Sequence, residues 1–231
     1  MALREYVLDM FNLRKDRTGF FRAAPDAVPV ISQARALDVF DTLKNMDNIA
    51  YNYTDDGCYA RTHLMCRNLF GAGLVPEKAW AFETDNRELI VKFPHGEQTW
   101  WFHVAPVLNV DDGKGGYVPM VFDPSLFDGP VTLKEWGDIM QAEENQIFIA
   151  PCGKAPGYHR GDYTPYHRTG WATDNAALSV MDEYVQLQKE QDFTPHVFPS
   201  QMRNAANDER WNTQPAAAKK TGGQPCRNQK A

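Results

Sequence analysis

No stretch of this 231-residue chain is apolar for long enough to cross a bilayer. The longest candidate, 100–110, is short and is interrupted by His103 and Pro106. Neither sign of charge dominates. Lys and Arg number 24 against 30 Asp and Glu, and the net charge of −6 argues against bulk affinity for nucleic acid, which depends on neutralising phosphates. Cysteines are few: four (58, 66, 152 and 226) in a chain of this length do not make a disulfide scaffold. The first residues do not read as a secretory signal. Charges recur through MALREYVLDMFNLRKDRTG, and no apolar core precedes a small-residue cleavage site. The expectation is a cytoplasmic protein, or one exported by a signal-less route as a secreted effector; a mature domain trimmed from a longer precursor would read the same. No segment repeats.

What is present is an ordinary globular composition. Hydrophobic residues make up 43%, aromatic residues 12% and charged residues 23%, enough to build a core for one good-sized domain with a tail. The expected organisation is an N-terminal helical segment over 1–48 of the same domain, a core over 49–200, and a flexible tail over 201–231. From Gln214 onward the sequence is of low complexity, with Lys219, Lys220, Arg227 and Lys230 and no acid, a composition that solvates rather than packs.

Apolar spacing predicts helices over 3–13 and over 32–46, the second capped by Ser32 and burying Ala36, Leu37, Phe40 and Leu43. After the turn-rich stretch 49–57, a helix begins at or near Cys58 and runs to Gly71 or Gly73. Strand-like runs follow at 78–83, 89–93, 99–110 and 117–122. The last two flank Asp111-Asp-Gly-Lys-Gly-Gly116, a strong hairpin signal. A helix over 133–144 is expected to start from Thr132, with Glu135 at the capping-box position. A strand over 146–150, a long ordered loop over 151–171 and a helix of about eighteen residues from Asp174 complete the reading.

Three residues stand out chemically. A cysteine at a helix start lies against unpaired backbone N–H groups and the positive end of the helix dipole. Those groups stabilise a thiolate and can accept the oxyanion of a tetrahedral intermediate. Cys58 is therefore a candidate nucleophile, against the plain alternative of a small buried residue. His103 lies in an otherwise apolar strand, where an imidazole is either satisfied by a partner or used as a base. If the hairpin turn centres on Gly113, facing residues sum to 226, which sets Asp123 directly opposite His103 on one sheet face. A base with its orienter then stands beside a thiol.

The order Cys, His, Asp, with the nucleophile opening a helix and the other two on adjacent strands, resembles papain-like and transglutaminase-like thiol enzymes. Asp56-Gly-Cys-Tyr-Ala-Arg61, followed by His63 and Met65, then Trp101-Phe-His-Val-Ala105, then Val121-Phe-Asp-Pro-Ser-Leu-Phe127, is similar to the bacterial protein-glutaminase family. The similarity spans roughly 49–136. It implies an α+β fold with an antiparallel sheet packed against the Cys58 helix. It also implies a cysteine-dependent amidohydrolase that deamidates glutamine side chains of a protein or peptide substrate, with no metal or cofactor; charge and hydropathy add the expectation of no nucleic acid and no membrane. Cys58, His103 and Asp123 fall on that family's triad. Asn52, Tyr59 and Trp101 are expected around the oxyanion or the substrate, Trp101 by sharing a strand face with His103. A thiol protease or a transglutaminase-type acyl transferase on the same triad is the alternative, and a non-enzymatic interaction protein is a second.

Other features read as structural. Cys152, His159 and His167 lack the tight spacing of zinc ligands, so Cys152 is expected to be inert, while Tyr158, His159, Tyr163, Tyr166 and His167 line a cleft. His63 and Cys66 share a helix face and are expected to touch each other. Arg61 suits a helix-to-sheet salt bridge. Trp100, Trp136 and Trp171 are core by default.

Overall fold

The computed structural model describes residues 29–84, 87–94, 96–152, 170–190 and 196–207, with the backbone alone for 14–15, 21–22, 151 and 170–174. The expected helix over 3–13, the loop over 153–169 and the tail from 208 lie outside the described residues.

Three short strands, β1 (Arg14–Lys15), β2 (Phe21–Arg22) and β3 (Val30–Ile31), precede helix α1 (Gln33–Lys44). Ser32 caps α1 by accepting from Arg35 N at 3.2 Å, and Ala36, Val39, Phe40 and Leu43 form its buried face. Helix α2 (Cys58–Gly71) follows, then β4 (Glu77–Phe82), β5 (Leu89–Phe93), β6 (Gly96–Trp100), β7 (Phe102–Asp111), β8 (Tyr117–Val121) and β9 (Val131–Thr132). Helix α3 (Leu133–Ile139), strand β10 (Ile147–Pro151), helix α4 (Gly170–Glu190) and helix α5 (Gln201–Asn207) complete the described elements. The Thr132 capping box is present, with Thr132 N donating to Glu135 Oε2 at 2.8 Å and Glu135 N donating to Thr132 Oγ1 at 3.2 Å. The helix stops earlier than the expected Glu144, because Gln141 takes a left-handed conformation (φ 54°).

The main sheet runs β1-β2-β10-β4-β7-β8-β9, and β3 pairs with the far end of β7. It is mostly antiparallel, but β2 lies parallel to β10 and β3 parallel to β7. These strands fall in the 1–48 segment expected to be helical; two-residue strands are too short to leave a periodic pattern. The expected strand 99–110 is broken at Trp101. Residues up to Trp100 pair with β5 in a separate hairpin, and only from Phe102 does the chain enter the main sheet. Part of the expected tail is ordered as α5, held where Arg203 forms an ion pair with Asp41 and its Nε donates to Asp128 O.

Side chains alternate across this sheet, as strand geometry requires. Ala79, Ala81, Ala105, Val107 and Val121 face one core, covered by the β5–β6 hairpin and α3 through Leu89, Val91 and Trp136. Leu108, Val110, Met120 and Phe122 face the opposite core, built from α1, α2 and α4. Trp80, Phe82, Val104, Phe148 and Ala150 extend that second face toward Cys58. Among the described residues no helix is long and apolar enough to cross a membrane.

Candidate active site

Cys58 is the first residue of α2, and Gly57 before it adopts a left-handed conformation (φ 84°). Only glycine takes that shape without strain. Space imposes the same choice, since a Cβ on Gly57 would lie 2.7 Å from Tyr184 Cε2. Gly57 offers no side-chain cap to α2, so no side chain competes for the amides at the helix start. The preceding turn is fixed from two sides. Arg61, itself buried, donates through Nη1 to Tyr53 O at 2.7 Å, Asp56 O at 2.9 Å and Ala50 O at 3.3 Å. From α4, Tyr184 donates its hydroxyl to Asp56 Oδ2 at 2.7 Å, and Gln188 Oε1 accepts from Asn52 N at 2.8 Å. Arg61 thus braces backbone carbonyls of the turn ahead of Cys58, in place of the expected helix-to-sheet salt bridge.

His103 and Asp123 meet on the other side of the sheet. His103 Nε2 lies 2.8 Å from Asp123 Oδ2, and the imidazole is only 2% exposed. The strand register differs from the expected one. Val107 faces Val121 and Leu108 faces Met120, so facing residues sum to 228 rather than 226. The turn centres on Lys114, where Asp112 Oδ1 accepts from Lys114 N at 2.8 Å and Gly116 N at 2.9 Å. Asp123 therefore stands opposite Ala105 and reaches His103 on the diagonal. A two-residue offset preserves the face, because side chains repeat every two residues.

Asp123 is fully engaged. Trp136 Nε1 donates to Oδ2 at 2.9 Å, and Ser125 donates to Oδ1 through Oγ at 2.5 Å and N at 3.3 Å. Burial pushes this carboxyl up. The His103 charge and the hydrogen bonds of His103, Ser125 and Trp136 outweigh it and hold the group below the usual carboxylate value. For His103, burial pushes the imidazole down. The charge and hydrogen bond of Asp123, joined by a side-chain hydrogen bond with Cys58, prevail and raise it from 6.5 to about 9. The ring lies between two indoles, with Trp100 at 4.7 Å and Trp136 at 5.6 Å between centroids.

Cys58 and His103 thus approach from opposite faces. They can touch because β8 leaves β7 early: its last ladder contact is Phe122 N to Pro106 O at 2.9 Å. Backbone groups of alternate residues point to the same side of a strand, so Val104 O also faces the vacated side. Thr62 fills that place, donating its hydroxyl to Val104 O at 2.7 Å. Thr62 is one helical turn beyond Cys58, so this bond docks the Cys58 end of α2 against the gap. With Nε2 committed to Asp123, Nδ1 is the ring nitrogen left for the sulfur.

The remaining expected residues are placed differently from one another. Trp101 does not share a strand face with His103. It lies in the bend between β6 and β7, 40% exposed, its ring edge-on to Phe102 at 4.2 Å. Trp100 takes the position against the imidazole. Tyr59 is partly buried against both cores on the α2 side. Asn52 stands in the braced turn with its backbone N–H committed to Gln188. Sequence reasoning missed Trp136 and Ser125 as partners of Asp123; Ser125 is two residues from its partner, and the quoted Asp-Pro-Ser run contained the signal. Cys66 touches Cys152. Among the described residues no group of three or more His, Cys, Asp or Glu side chains could hold a metal ion; His159 and His167 lie outside them.

Residues 36–140 match the model of a family described as Glutaminase. The matched segment covers less than half of this chain. It holds the cysteine, the histidine and the aspartate in one continuous stretch. The NMR structure of protein-glutaminase from Chryseobacterium proteolyticum aligns at a TM-score of 0.56 and 22% identity, over 68% of this chain and 89% of that one. A crystal structure of protein-glutaminase aligns at 0.53 and 20%, over 69% and 90%. The crystal structure of an A47Q2 mutant of pro-protein-glutaminase is 28% identical over 49% of this chain, with a TM-score of 0.45. This chain spans 43% of that pro-form's length. No curated protein matches. The first two establish a shared fold, the α+β, transglutaminase/papain-like arrangement in which a sheet packs on the helix that starts at Cys58.

Proposed function

We propose that this chain deamidates glutamine side chains of a protein or peptide substrate, through a thioester on Cys58. That it is an enzyme of the protein-glutaminase kind rests on the family match and the shared fold. The observation that carries the mechanism is the contact of Cys58, at an uncapped helix start, with an imidazole held protonated near neutral pH by a buried carboxylate.

A protonated His103 beside Cys58 favours the thiolate. The sulfur attacks the side-chain amide carbon of glutamine, and the Cys58 backbone N–H receives the oxyanion. As the tetrahedral intermediate collapses, the C–N bond breaks and His103 gives its proton to the departing ammonia. The neutral imidazole then takes a proton from water, which attacks the thioester and releases glutamate. Asp123 holds the ring orientation throughout. Asn52 is the proposed second oxyanion donor, through its side chain since its backbone N–H is taken. The alternative donor is Trp80 Nε1, buried and without a hydrogen-bond partner among the described residues, in the apolar cluster that contains Cys58. Trp101 and Tyr59 are proposed to line the substrate's approach.

Ammonia release from casein, measured for the native chain and for Cys58→Ala, tests the proposal. Ammonia without chain cleavage or cross-links, absent from the variant, is expected; cleaved or cross-linked product moves the assignment to protease or transglutaminase chemistry. In the same assay Asn52→Ala should lose about 10²–10³ in rate if it supplies an oxyanion donor. A loss below about tenfold transfers the role to Trp80.

A further inference from the structure

A second pair of thiols lies along the same helix. Cys66 is fully buried on α2, eight residues and about 12 Å beyond Cys58 at 1.5 Å rise per residue. Cys152 follows directly on β10 and is partly exposed. The two side chains are in hydrogen-bond contact, and both thiols are free. Beside them stands Lys78, a buried lysine on β4 whose charge acts on both sulfurs. Lys78 faces Ala150 across the β4–β10 ladder, which puts it at the end of β10 just before Cys152.

The environments of the two sulfurs differ. The Cys66 hydrogen bond, with the Lys78 charge, outweighs burial and holds the Cys152 thiol below its ordinary value. Burial, together with the contact to Cys152, pushes Cys66 well above it. The more exposed sulfur is thus the more readily ionised, and a protected thiol lies against it. That is the arrangement of an attacking and a resolving cysteine.

We propose that Cys66 and Cys152 form an oxidisable dithiol site, which reacts with a small hydroperoxide to give a disulfide tying the nucleophile helix to the end of β10. In the first step the Cys152 thiolate attacks the peroxide oxygen, an S–O bond forms, the O–O bond breaks and hydroxide leaves. In the second the Cys66 sulfur displaces the hydroxyl of the resulting sulfenic acid, an S–S bond forms, and water leaves with the Cys66 proton. Two thiols and one hydrogen peroxide give one disulfide and two waters. The site is independent of the deamidase reading, because neither sulfur is among the groups that act on His103 and Asp123.

The test uses the full chain carrying Cys58→Ala, so that no reading depends on deamidation. Hydrogen peroxide is added in slight excess, followed by peptide mapping without reduction and by thermal melting. The expected product is a single linked peptide pair joining Cys66 to Cys152. It closes a long loop, so the melting temperature should rise by several degrees, on the order of 5–10 °C, and return with dithiothreitol. Cys152→Ser should abolish both the link and the shift. Cys152 carried to sulfinic acid while Cys66 stays free would overturn the proposal. So would oxidation confined to Cys226 with both thiols of the pair intact.

Discussion

Asp123→Asn keeps the shape of the carboxylate while removing its charge. In the native chain Asp123 and its contacts hold His103 at about 9 rather than 6.5. At 1.36 kcal/mol per tenfold, that difference is about 3 kcal/mol of preference for the imidazolium. If the imidazolium sustains the Cys58 thiolate and protonates ammonia, the variant should lose at least about 10² in kcat/KM near neutral pH. The loss grows if the amide also fixes the wrong ring tautomer, a fault that costs about 10⁴ in serine-protease triads. Two assays check the reasoning. Iodoacetamide alkylation of Cys58 between pH 5 and 9 should slow markedly at pH 6–7 in the variant. Thermal melting across pH should change as well. A histidine raised in the folded state stabilises fully below its unfolded value of 6.5 and loses that contribution as pH rises through about 9. The lowered Asp123 contributes above 3.8 and loses it as pH falls through its folded value. The native chain should therefore lose stability between pH 6.5 and 9 in a way Asp123→Asn does not. Unchanged alkylation and deamidation within about threefold would refute the role of Asp123.

Three further substitutions probe how the site is held. Trp136→Phe keeps the ring beside His103 but removes the Nε1 donor to Asp123. It should cost about 1.5–3 kcal/mol and lower the melting temperature by several degrees, and an unchanged melt would mean the bond contributes nothing. Gly57→Ala combines a left-handed backbone, worth about 1–3 kcal/mol, with a clash against Tyr184. Stability and activity should fall together, and full activity with a native melt would contradict both the φ value and the packing. Thr62→Val leaves Val104 O without its donor at about 1–3 kcal/mol. Its kcat should fall more than its KM rises, since the Cys58 end of the helix loses registration while the substrate surface is untouched; a pure KM effect would oppose that reading.

Features encoded locally were legible. The Thr132–Glu135 capping box needs four consecutive residues, and the helix start at Cys58 is announced by Gly57 and the apolar spacing after it. The hairpin around Lys114 shows where local signals run out. Glycines at 113, 115 and 116 offer more than one turn centre, and the bonds from Asp112 to Lys114 N and Gly116 N decide between them. The expected centre was one residue early, which moves the register by two, so the face assigned to Asp123 was kept while its partner was not. Trp136 carried no local mark as a partner of Asp123, because that contact exists only once α3 docks on the sheet. Exchanging the roles of Trp100 and Trp101 had the same origin: a bend inside an apolar run is invisible to period counting.

The opposite-face geometry explains why so much of the chain is committed to a small site. A thiol and an imidazole on one face of a sheet could meet by strand pairing alone. Here they are separated by the sheet, and contact depends on a strand that stops early. The freed carbonyl of Val104 must then be satisfied, and the group that satisfies it comes from the helix that starts at Cys58. An unsatisfied buried carbonyl is costly, so the gap and the docking of the helix stabilise each other. The turn ahead of Cys58 has no regular structure to hold it, and three backbone carbonyls bonded to one buried arginine take that place. The helices of the second core therefore also hold the site: α2 carries Cys58, and α4 braces the turn ahead of it through Tyr184 and Gln188.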